Sequence, residues 1–351
     1  MGTPLWNPPN RFVGTDIDWE EPPPPAHLEV REDDAQGALS RNDSPDVGFE
    51  WSVNPYRGCT HGCAFCYARP THEYLGLGAG TDFERVIVVK RRAAELLREA
   101  FEKPSWTGKP VVFSGVTDCY QPLERTYGIT RACLEVCAAY RNPVGIITRA
   151  ALVARDLDVL ERLHGHGAVR VTFSLSIPDP AVQRAIEPGA PPPELRLRAM
   201  KVLADAGIPV GVSVAPVIPG LNDHMIPEAL KQARAHGARW AWLTALRLPG
   251  AVAPVFERRV REAFPDRAER VMNAIRRMRN GGMLPPADGA EARVNDSRFG
   301  ARMRGEGPAW DAAERLFEIW RDKLGYEPLL PAPDPSPFRR PGRKRQLELF
   351  E

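Results

Sequence analysis

Residues 54–67 read NPYRGCTHGCAFCY and contain three cysteines in the spacing C-x3-C-x2-C, namely Cys59, Cys63 and Cys66. An aromatic residue, Phe65, stands directly before the last cysteine. Cysteine thiolate is the usual protein ligand of iron-sulfur clusters, and three such ligands leave one iron of a four-iron cluster free to bind another molecule. The spacing therefore favours a 4Fe-4S cluster with an open iron.

The cysteine spacing also fits two simpler structures. Positions i, i+4 and i+7 share one face of a helix and would bury sulfur as a small apolar group, but Pro55, Gly58 and Gly62 disfavour a helix and favour a tight loop. A structural zinc site would combine the cysteines with His61. Zinc sites usually draw on two separated pairs of ligands, and no second pair follows. A cluster-binding loop is the favoured interpretation.

This loop and several later motifs together resemble the radical S-adenosylmethionine (radical SAM) superfamily, whose signature is C-x3-C-x-aromatic-C. The resemblance is to the spore photoproduct lyase-like branch and extends over residues 45–250. Besides the run from Asn54 to Tyr74, the motifs are TDCYQPLE at 117–124, ITR at 147–149, FSLS at 173–176 and APVIP at 215–219. The resemblance implies an enzyme whose cofactors are a 4Fe-4S cluster and S-adenosyl-L-methionine.

Apolar segments of strand length alternate with amphipathic segments in the middle of the chain. The strand candidates are residues 110–114, 144–148, 169–175, 209–215 and 240–246. The helix candidates, with apolar residues at three- and four-residue spacing, are 91–102, 130–140, 155–164, 193–206 and 225–236. With one strand before the cysteine loop, the alternation predicts about six parallel βα units. The corresponding family fold is an α/β, partial (βα)6 TIM-type barrel, with its active site at the carboxyl ends of the strands.

Composition predicts four regions along the chain. Residues 1–48, rich in proline and acidic residues, are expected to form an extended or disordered leader before a core over 49–250. A helical extension is expected over 251–327, with one helix at 310–324, and a flexible basic tail over 328–351. We find neither a signal-peptide pattern nor a run of about 18 apolar residues, and therefore expect a cytoplasmic protein without a membrane span. The 47 Lys and Arg residues nearly balance 45 Asp and Glu residues, so net charge alone indicates no polyanionic partner.

The resemblance places cofactor-binding residues in the cysteine loop and after the second strand. Phe65 and Tyr67 would pack on or hydrogen-bond the adenosyl group, with ordinary packing as the alternative. Thr117 and Asp118 would hold the amino or hydroxyl groups of S-adenosylmethionine.

Three further cofactor contacts are expected at later strands. Arg149 stands where relatives often carry lysine and would pair with the cofactor carboxylate, although it also fits a surface arginine. Ser174 matches a family serine that contacts the cofactor, and Ala215 matches a backbone contact. Both also fit ordinary strand residues.

The resemblance also implies the reaction. One electron, supplied by a donor such as flavodoxin or ferredoxin, reaches the cluster and cleaves S-adenosylmethionine to methionine and a 5′-deoxyadenosyl radical that abstracts hydrogen from the substrate. Spore photoproduct lyase returns hydrogen from a cysteine, whose place is taken here by Gly115. Cys119, with Tyr120 as a relay, is the candidate hydrogen donor, although a lone cysteine is more often a small buried residue. Cys133 and Cys137, spaced i, i+4 on a predicted helix, are expected in the core.

The carboxyl-terminal sequence suggests partners. Residues 346–350 read QLELF and resemble the motif by which bacterial replication and repair proteins bind the sliding clamp. The contacts would be Gln346, Leu347, Leu349 and Phe350. A chance match, or docking on the protein's own barrel, is the alternative.

Local positive charge favours DNA as the substrate class. The tail contains a basic cluster without an acidic residue, consisting of Arg339, Arg340, Arg343, Lys344 and Arg345, and further arginines follow the barrel region at 258, 259, 276, 277 and 279. With the resemblance, this predicts a radical SAM enzyme acting on DNA in lesion repair. A radical enzyme acting on a peptide, a protein or a small metabolite is the first alternative, and a non-enzymatic, zinc-stabilised binding protein is the second.

Overall fold

A computed structural model describes residues 4–13, 24–283, 293–329 and 331–342. The strands are β1 (Glu29–Glu32), β2 (Leu39–Arg41), β3 (Trp51–Val53), β4 (Tyr56–Arg57), β5 (Val86–Val89), β6 (Val111–Phe113), β7 (Val144–Thr148), β8 (Val169–Ser174), β9 (Val210–Val217) and β10 (Trp240–Ala245). The α-helices are α1 (Thr81–Arg85), α2 (Ala93–Glu102), α3 (Glu124–Tyr127), α4 (Ile129–Ala139), α5 (Leu157–His164), α6 (Pro180–Ile186), α7 (Pro193–Asp205), α8 (Ile226–Ala235), α9 (Val252–Ala263), α10 (Pro265–Arg279) and α11 (Pro308–Lys323).

Seven strands form one curved sheet in the order β10-β9-β8-β7-β6-β3-β2. The six strands from β3 to β10 in this order pair in parallel, and β2 is antiparallel to β3 at the edge. Because these six strands run parallel, their carboxyl ends lie at the same end of the barrel. The prediction of a partial (βα)6 barrel is confirmed.

The barrel elements follow the apolar pattern of the sequence. Each predicted strand and helix of the barrel lies within two residues of the observed bounds. Helix α5 buries Val159, Leu160 and Leu163 on one face, as the three- and four-residue spacing predicts. Where two strands meet, Gly211 leaves room for its partner, because a Cβ there would lie 2.2 Å from the indole of Trp240.

Part of the leader, predicted to be extended or disordered over residues 1–48, forms extended strands that pair with later parts of the chain. Strand β1 pairs in parallel with β5, and β2 pairs with β3. Near the amino terminus, the side-chain oxygen of Asn7 accepts hydrogen bonds from the backbone nitrogens of Gly80 and Asp82, at 3.0 and 3.1 Å. The four residues of β1 are all exposed, so backbone hydrogen bonds to β5 hold this strand in place. Its sequence therefore has no apolar periodicity that would predict a strand.

The extension is helical as predicted, but part of the tail differs from the flexible segment expected over 328–351. The Phe338 ring lies 5.9 Å from that of Phe101 and 6.2 Å from that of Tyr140, measured between centroids. The Arg340 guanidinium donates to the backbone carbonyls of Phe101, Lys103 and Trp106. The Phe338 ring and the Arg340 guanidinium thus hold in place a proline-rich segment that composition alone predicts to be unstructured. The clamp-like residues 346–350, and Arg343, Lys344 and Arg345, lie outside the described residues.

Residues 300–303 link the two edges of the large sheet. The loop between β2 and β3 contains Asp46, whose carboxylate accepts from the Arg302 guanidinium and from the backbone nitrogen of Gly300, the latter at 2.7 Å. At the other edge, the carbonyl of Met303 accepts from the backbone nitrogen of Ala245 at 3.0 Å. We call this Asp46–Arg302 contact the edge bridge. Within the described residues, no helix has the length and apolar character needed to cross a bilayer.

Candidate functional site

The cysteine loop leaves the carboxyl end of β3 and is shaped by two glycines with positive φ. Gly58 and Gly62 have φ values of 79° and 61°, which a residue with a side chain adopts only under strain. A Cβ on Gly58 would lie 2.9 Å from the imidazole of His72, and one on Gly62 would lie 3.1 Å from the carboxylate of Glu84. The glycines therefore allow the loop to turn, and they allow the side chains of His72 and Glu84 to pack closely against it.

Arg69 organises the same loop from within the core. Its side chain is completely buried and donates to four backbone carbonyls and one carboxylate. The acceptors are the carbonyls of Gly62, Cys63, Ala79 and Gly80, at 2.8 to 3.1 Å, and the carboxylate of Glu84 at 2.5 Å. No pattern in the sequence indicates this role, because an arginine three residues after a cysteine is not part of a recognisable motif.

Thr117 and Gln121 support the loop from the segment after β6. The Thr117 hydroxyl and the Gln121 side-chain nitrogen donate to the carbonyl of Gly58, at 2.8 and 3.0 Å. The Gln121 side-chain oxygen accepts from the backbone nitrogen of Thr60 at 3.1 Å. The Thr117 hydroxyl thus binds the cysteine loop. A contact between Thr117 and the cofactor stays a prediction.

Two thiols of the loop, those of Cys59 and Cys63, have raised pKa values. Burial, Asp118 and Cys66 together raise the pKa of Cys59 to about 12, and burial raises the pKa of Cys63 despite the neighbouring Arg149. Thiolates that are buried and repel one another need a positively charged group, and an iron-sulfur cluster bonded to them is such a group. The residues therefore fit a cluster. No set of three His, Cys, Asp or Glu side chains suited to a single metal ion occurs in the described ranges.

Asp118 is fixed at the carboxyl ends of β6 and β7. Its carboxylate accepts from the backbone nitrogen of Tyr120 at 2.9 Å, from the Thr148 hydroxyl at 2.7 Å and from the backbone nitrogen of Arg149 at 2.9 Å. The imidazole Nδ1 of His61 lies 3.5 Å away without a hydrogen-bond partner of its own. Burial lowers the pKa of His61 to about 4, so this imidazole is neutral at pH 7.

Arg149 lies in a buried group of charges beside the cysteine loop. Its guanidinium donates to Glu187 at 2.5 Å and lies 5.4 Å from the ring centroid of Phe65. Glu187 also accepts from Arg196, whose guanidinium donates to the carbonyl of Ser174 at 3.1 Å. Burial acts to raise the pKa of Glu187, but the two arginines outweigh it and hold that pKa below its usual value. The alternative of a surface arginine at position 149 is excluded, and its pairing with the cofactor carboxylate stays a prediction.

The remaining predicted cofactor residues differ in exposure. Phe65 and Ser174 are buried. Ala215, near the carboxyl end of β9, is partly buried. The Tyr67 ring is half exposed, and its hydroxyl donates to the carbonyl of Gly115 at 2.5 Å. Tyr67 thus bridges the cysteine loop and the end of β6, with one part of its ring open to a ligand.

The proposed hydrogen donor and relay are deeply buried. Cys119 and Tyr120 are at most 1% exposed. The Tyr120 hydroxyl donates to the carboxylate of Asp156 at 3.1 Å, and burial raises the pKa of the Cys119 thiol. These contacts are those of packing residues, and the roles in hydrogen transfer stay predictions. Cys133 and Cys137 are fully buried, as expected.

Comparison with protein families and curated proteins identifies relatives of the chain. The family model of the radical SAM superfamily matches residues 53–233. An uncharacterized protein of Mycobacterium tuberculosis is 36% identical over 241 residues, which cover 68% of this chain and 70% of that protein. A protein of Pseudomonas phage M6 named radical SAM Nalpha-GlyT isomerase is 29% identical over 174 residues, or 49% of this chain and 34% of that protein.

Comparison with solved structures shows the same fold in spore photoproduct lyase. A mutant of that enzyme superposes with a TM-score of 0.57 at 18% identity, covering 85% of this chain and 80% of the other. The enzyme complexed with dinucleoside spore photoproduct gives a TM-score of 0.50 at 19% identity, covering 68% of this chain and 66% of the other. At these identities the likeness concerns the fold.

Proposed function

The chain belongs to the radical SAM superfamily, and from this membership we propose that it is an enzyme that cleaves S-adenosylmethionine reductively at a 4Fe-4S cluster and abstracts hydrogen from DNA. The observation that carries the proposal is the loop of three buried or half-buried thiols, Cys59, Cys63 and Cys66, at the carboxyl end of β3. When bound, the cluster and S-adenosylmethionine supply one-electron cleavage and an adenosyl radical that takes hydrogen from the substrate.

The protein's own residues hold the cofactors in place and exclude water. Arg69 and Gln121 fix the backbone of the cysteine loop, so that the thiols are positioned before they bind iron. Asp118 presents a carboxylate, fixed by three donors, for an amino or hydroxyl group of S-adenosylmethionine. Phe65 and Tyr67 supply the aromatic surface beside the third cysteine for the adenosyl group.

DNA is the proposed substrate class for two reasons. The phage relative is named a GlyT isomerase. A solved structure of spore photoproduct lyase is described as complexed with dinucleoside spore photoproduct. The chain also has an arginine-rich carboxyl-terminal part. Repair of a DNA lesion is the reaction we propose. The candidate second substrate class is a peptide, protein or small metabolite. It is favoured by the resemblance, which puts Gly115 where spore photoproduct lyase has its donor cysteine.

The experiment measures hydrogen transfer from labelled DNA. The protein is reconstituted anaerobically with iron and sulfide, reduced with dithionite and incubated with S-adenosylmethionine and deuterated, ultraviolet-irradiated DNA. Mass spectrometry of 5′-deoxyadenosine is expected to show deuterium, because the C–D bond of the substrate breaks and the deuterium atom joins the 5′ carbon. The triple variant Cys59→Ala, Cys63→Ala, Cys66→Ala is expected to form no 5′-deoxyadenosine.

Cys137→Ala is the matched control, because it removes a buried thiol outside the loop. It is expected to keep wild-type 5′-deoxyadenosine formation. Formation of unlabelled 5′-deoxyadenosine only, whether the DNA is irradiated or intact, would reject DNA and leave the second substrate class. Absence of 5′-deoxyadenosine from an iron-loaded wild-type protein would reject the enzyme itself.

We also propose two protein partners. A reducing protein such as flavodoxin or ferredoxin would supply the electron, and a sliding clamp would bind residues 346–350. Support for the clamp comes from the docking of Arg340 on α2, which fixes the chain a few residues before the motif. In a pull-down, the wild type and the tail control Arg339→Ala are expected to bind the clamp. The double variant Leu349→Ala, Phe350→Ala is expected not to bind it. Equal binding by all three proteins would reject the motif.

A further inference from the structure

Arg247 lies at the carboxyl end of β10, at the same end of the barrel as the cysteine loop. Its guanidinium carbon is 5.7 Å from the ring centroid of Tyr67, the residue that follows Cys66. Tyr67 in turn is fixed to Gly115 after β6. A cation contributed by the sixth parallel strand therefore stands beside the aromatic side chain next to the proposed cluster.

This guanidinium has no oxygen acceptor within the described ranges. Its Nε is buried without a hydrogen-bond partner, and its Nη1 contacts only the sulfur of Met303, at 3.8 Å. The nearby carboxylate of Asp46 is engaged by Arg302 and by the backbone of Gly300. A buried donor left without an acceptor is costly, so the position favours an anionic ligand.

The charges around Arg247 point the same way. Burial, followed by the charge of Arg302, lowers the pKa of Arg247, while Tyr67 and Asp46 act to raise it. Arg149, the other cation near the cysteine loop, differs because it donates to Glu187 at 2.5 Å, a carboxylate that it shares with Arg196. Of these two arginines, Arg247 is the one without a carboxylate partner in the described structure.

One exposed aromatic ring lies beside Arg247, and another lies beside the neighbouring Arg302. Tyr67 is 50% exposed and Phe299 is 61% exposed. The guanidinium of Arg302 lies 4.5 Å from the ring centroid of Phe299. Aromatic faces interleaved with cations are the usual surface for a single nucleic-acid strand, in which bases stack on rings while guanidinium groups bind phosphates. An acidic peptide would use the cation but would gain less from the rings.

We propose that Arg247 binds a backbone phosphate of the polynucleotide substrate and so positions the reacting nucleotide beside the cysteine loop. The proposal rests on the proposed function, since it names the substrate contact of that site. Arginine suits this role because its planar fork of N–H donors matches two phosphate oxygens. The carboxylate of S-adenosylmethionine offers the same chemistry, and the experiment separates the two sources.

The experiment compares Arg247→Gln, Arg247→Lys and the control Arg261→Gln, which removes an exposed arginine of α9. Binding of the reconstituted proteins to a fluorescent single-stranded oligonucleotide is measured by anisotropy at several KCl concentrations. Half-saturation by S-adenosylmethionine is measured from 5′-deoxyadenosine formation without DNA. Loss of one phosphate contact is expected to weaken oligonucleotide binding about tenfold and to reduce the slope of log K against log salt by about 0.7.

The lysine variant is expected to keep the salt slope with weaker binding, because it retains the charge without the fork. Arg261→Gln is expected to match the wild type in both readings. The proposal is overturned if Arg247→Gln binds the oligonucleotide like the wild type, or if its main effect is a higher half-saturation for S-adenosylmethionine. If the wild type itself binds no oligonucleotide, the DNA substrate is rejected rather than the placement of Arg247 alone.

Discussion

Arg69 shows how a single buried side chain determines the shape of the cysteine loop. Replacing it with alanine removes the hydrogen bonds of Arg69 to the carbonyls of Gly62 and Cys63 and leaves Glu84, 11% exposed, without its cation. Breaking a buried pair in this way costs about 3–5 kcal/mol. We expect Arg69→Ala to lower the free energy of unfolding of the apoprotein by that amount in urea, and to lower the iron bound per chain after reconstitution.

The control for Arg69 is Arg92→Ala, which breaks an exposed pair with Glu95 on the surface of α2. Water screens such an exposed pair and makes its contribution small, so both the stability and the bound iron should remain near wild type. Arg69→Lys is expected to lie between them, because lysine keeps the charge but lacks the planar fork of donors. Normal iron content in Arg69→Ala would contradict the role given to this residue.

His72 provides a pH-dependent contribution to stability. Its ring is fully buried against Gly58 and donates from Nε2 to the carbonyl of Val86 at 2.9 Å, and burial lowers its pKa below the ordinary value. The unfolded chain therefore binds the proton more readily. The contribution is complete above about pH 6.5 and decreases as the pH falls toward the lowered pKa, by up to about 1.4 kcal/mol per pH unit.

Urea unfolding of the apoprotein between pH 7.0 and 5.5 measures this effect. His72→Gln keeps a donor for Val86 but cannot titrate, so its stability is expected to fall less over this range than that of the wild type. The neutral His61 contributes in the same direction in both proteins and cancels in the comparison. Identical pH dependence in the two proteins would show that His72 does not titrate between the folded and unfolded states.

At the scale of elements, the docked tail completes helix α2. This helix has no basic residue in its last turn, and Arg340 supplies donors for the carbonyls at and beyond its end. Cations and hydrogen-bond donors at a helix carboxyl terminus stabilise it by about 1–2 kcal/mol. We expect Arg340→Ala to lower the free energy of unfolding by that amount, and to speed amide exchange in residues 99–106.

Arg339→Ala is the control for the tail, because the side chain of Arg339 is exposed and only its backbone nitrogen donates, to the carbonyl of Tyr140. Its stability should stay within about 0.5 kcal/mol of wild type. Equal effects of the two substitutions would mean that the tail is held by Phe338 and the backbone alone.

The elements that the sequence predicts are those whose stability comes from burying one face. The barrel strands and helices carry apolar residues at fixed spacing, and β7 lies at the predicted residues. Strand β1 has no buried side chain, and β5, which is wholly buried, pairs with β1 and β4 outside the large sheet. Such strands depend on a neighbour distant in sequence, which a local pattern does not reveal.

The same distinction applies to the site. Cys59, Cys63 and Cys66 are recognisable because their spacing is local, and Asp118 because it follows a strand. Glu187 and Arg196 bring charge to the cysteine loop from α6, α7 and the connection between them, and each looks like an ordinary surface residue in the sequence. Their roles arise from burial, which only the folded chain supplies.

At the scale of the whole molecule, the edge bridge joins segments about 250 residues apart in sequence. Asp46 and Arg302 have side chains that are 7% and 17% exposed, so their contact is shielded from water. Hydrogen bonds to charged groups in such settings contribute about 1.5–3 kcal/mol. We expect a double-mutant cycle of Asp46→Ala and Arg302→Ala to give a coupling energy of at least about 1 kcal/mol.

Hydrogen exchange complements this cycle. Either single substitution is expected to raise amide hydrogen exchange in both bridged segments, residues 42–50 and 296–304. The reason is that each segment loses its hydrogen bonds to the other. Additive stability effects, with exchange raised only around the substituted residue, would show that the two edges are independent. Glu257→Ala, which breaks an exposed pair on α9, should alter neither region.

The edge bridge also bears on how a long molecule could reach the barrel. Strands β2 and β10 end the sheet on opposite sides and do not pair, so side chains rather than a ladder of backbone hydrogen bonds span the space between them in the described structure. A fully closed ring would accept only a free end or a looped-out unit from above. A ring joined by side chains can instead open at this point by breaking the edge bridge, without the loss of any pairing between strands.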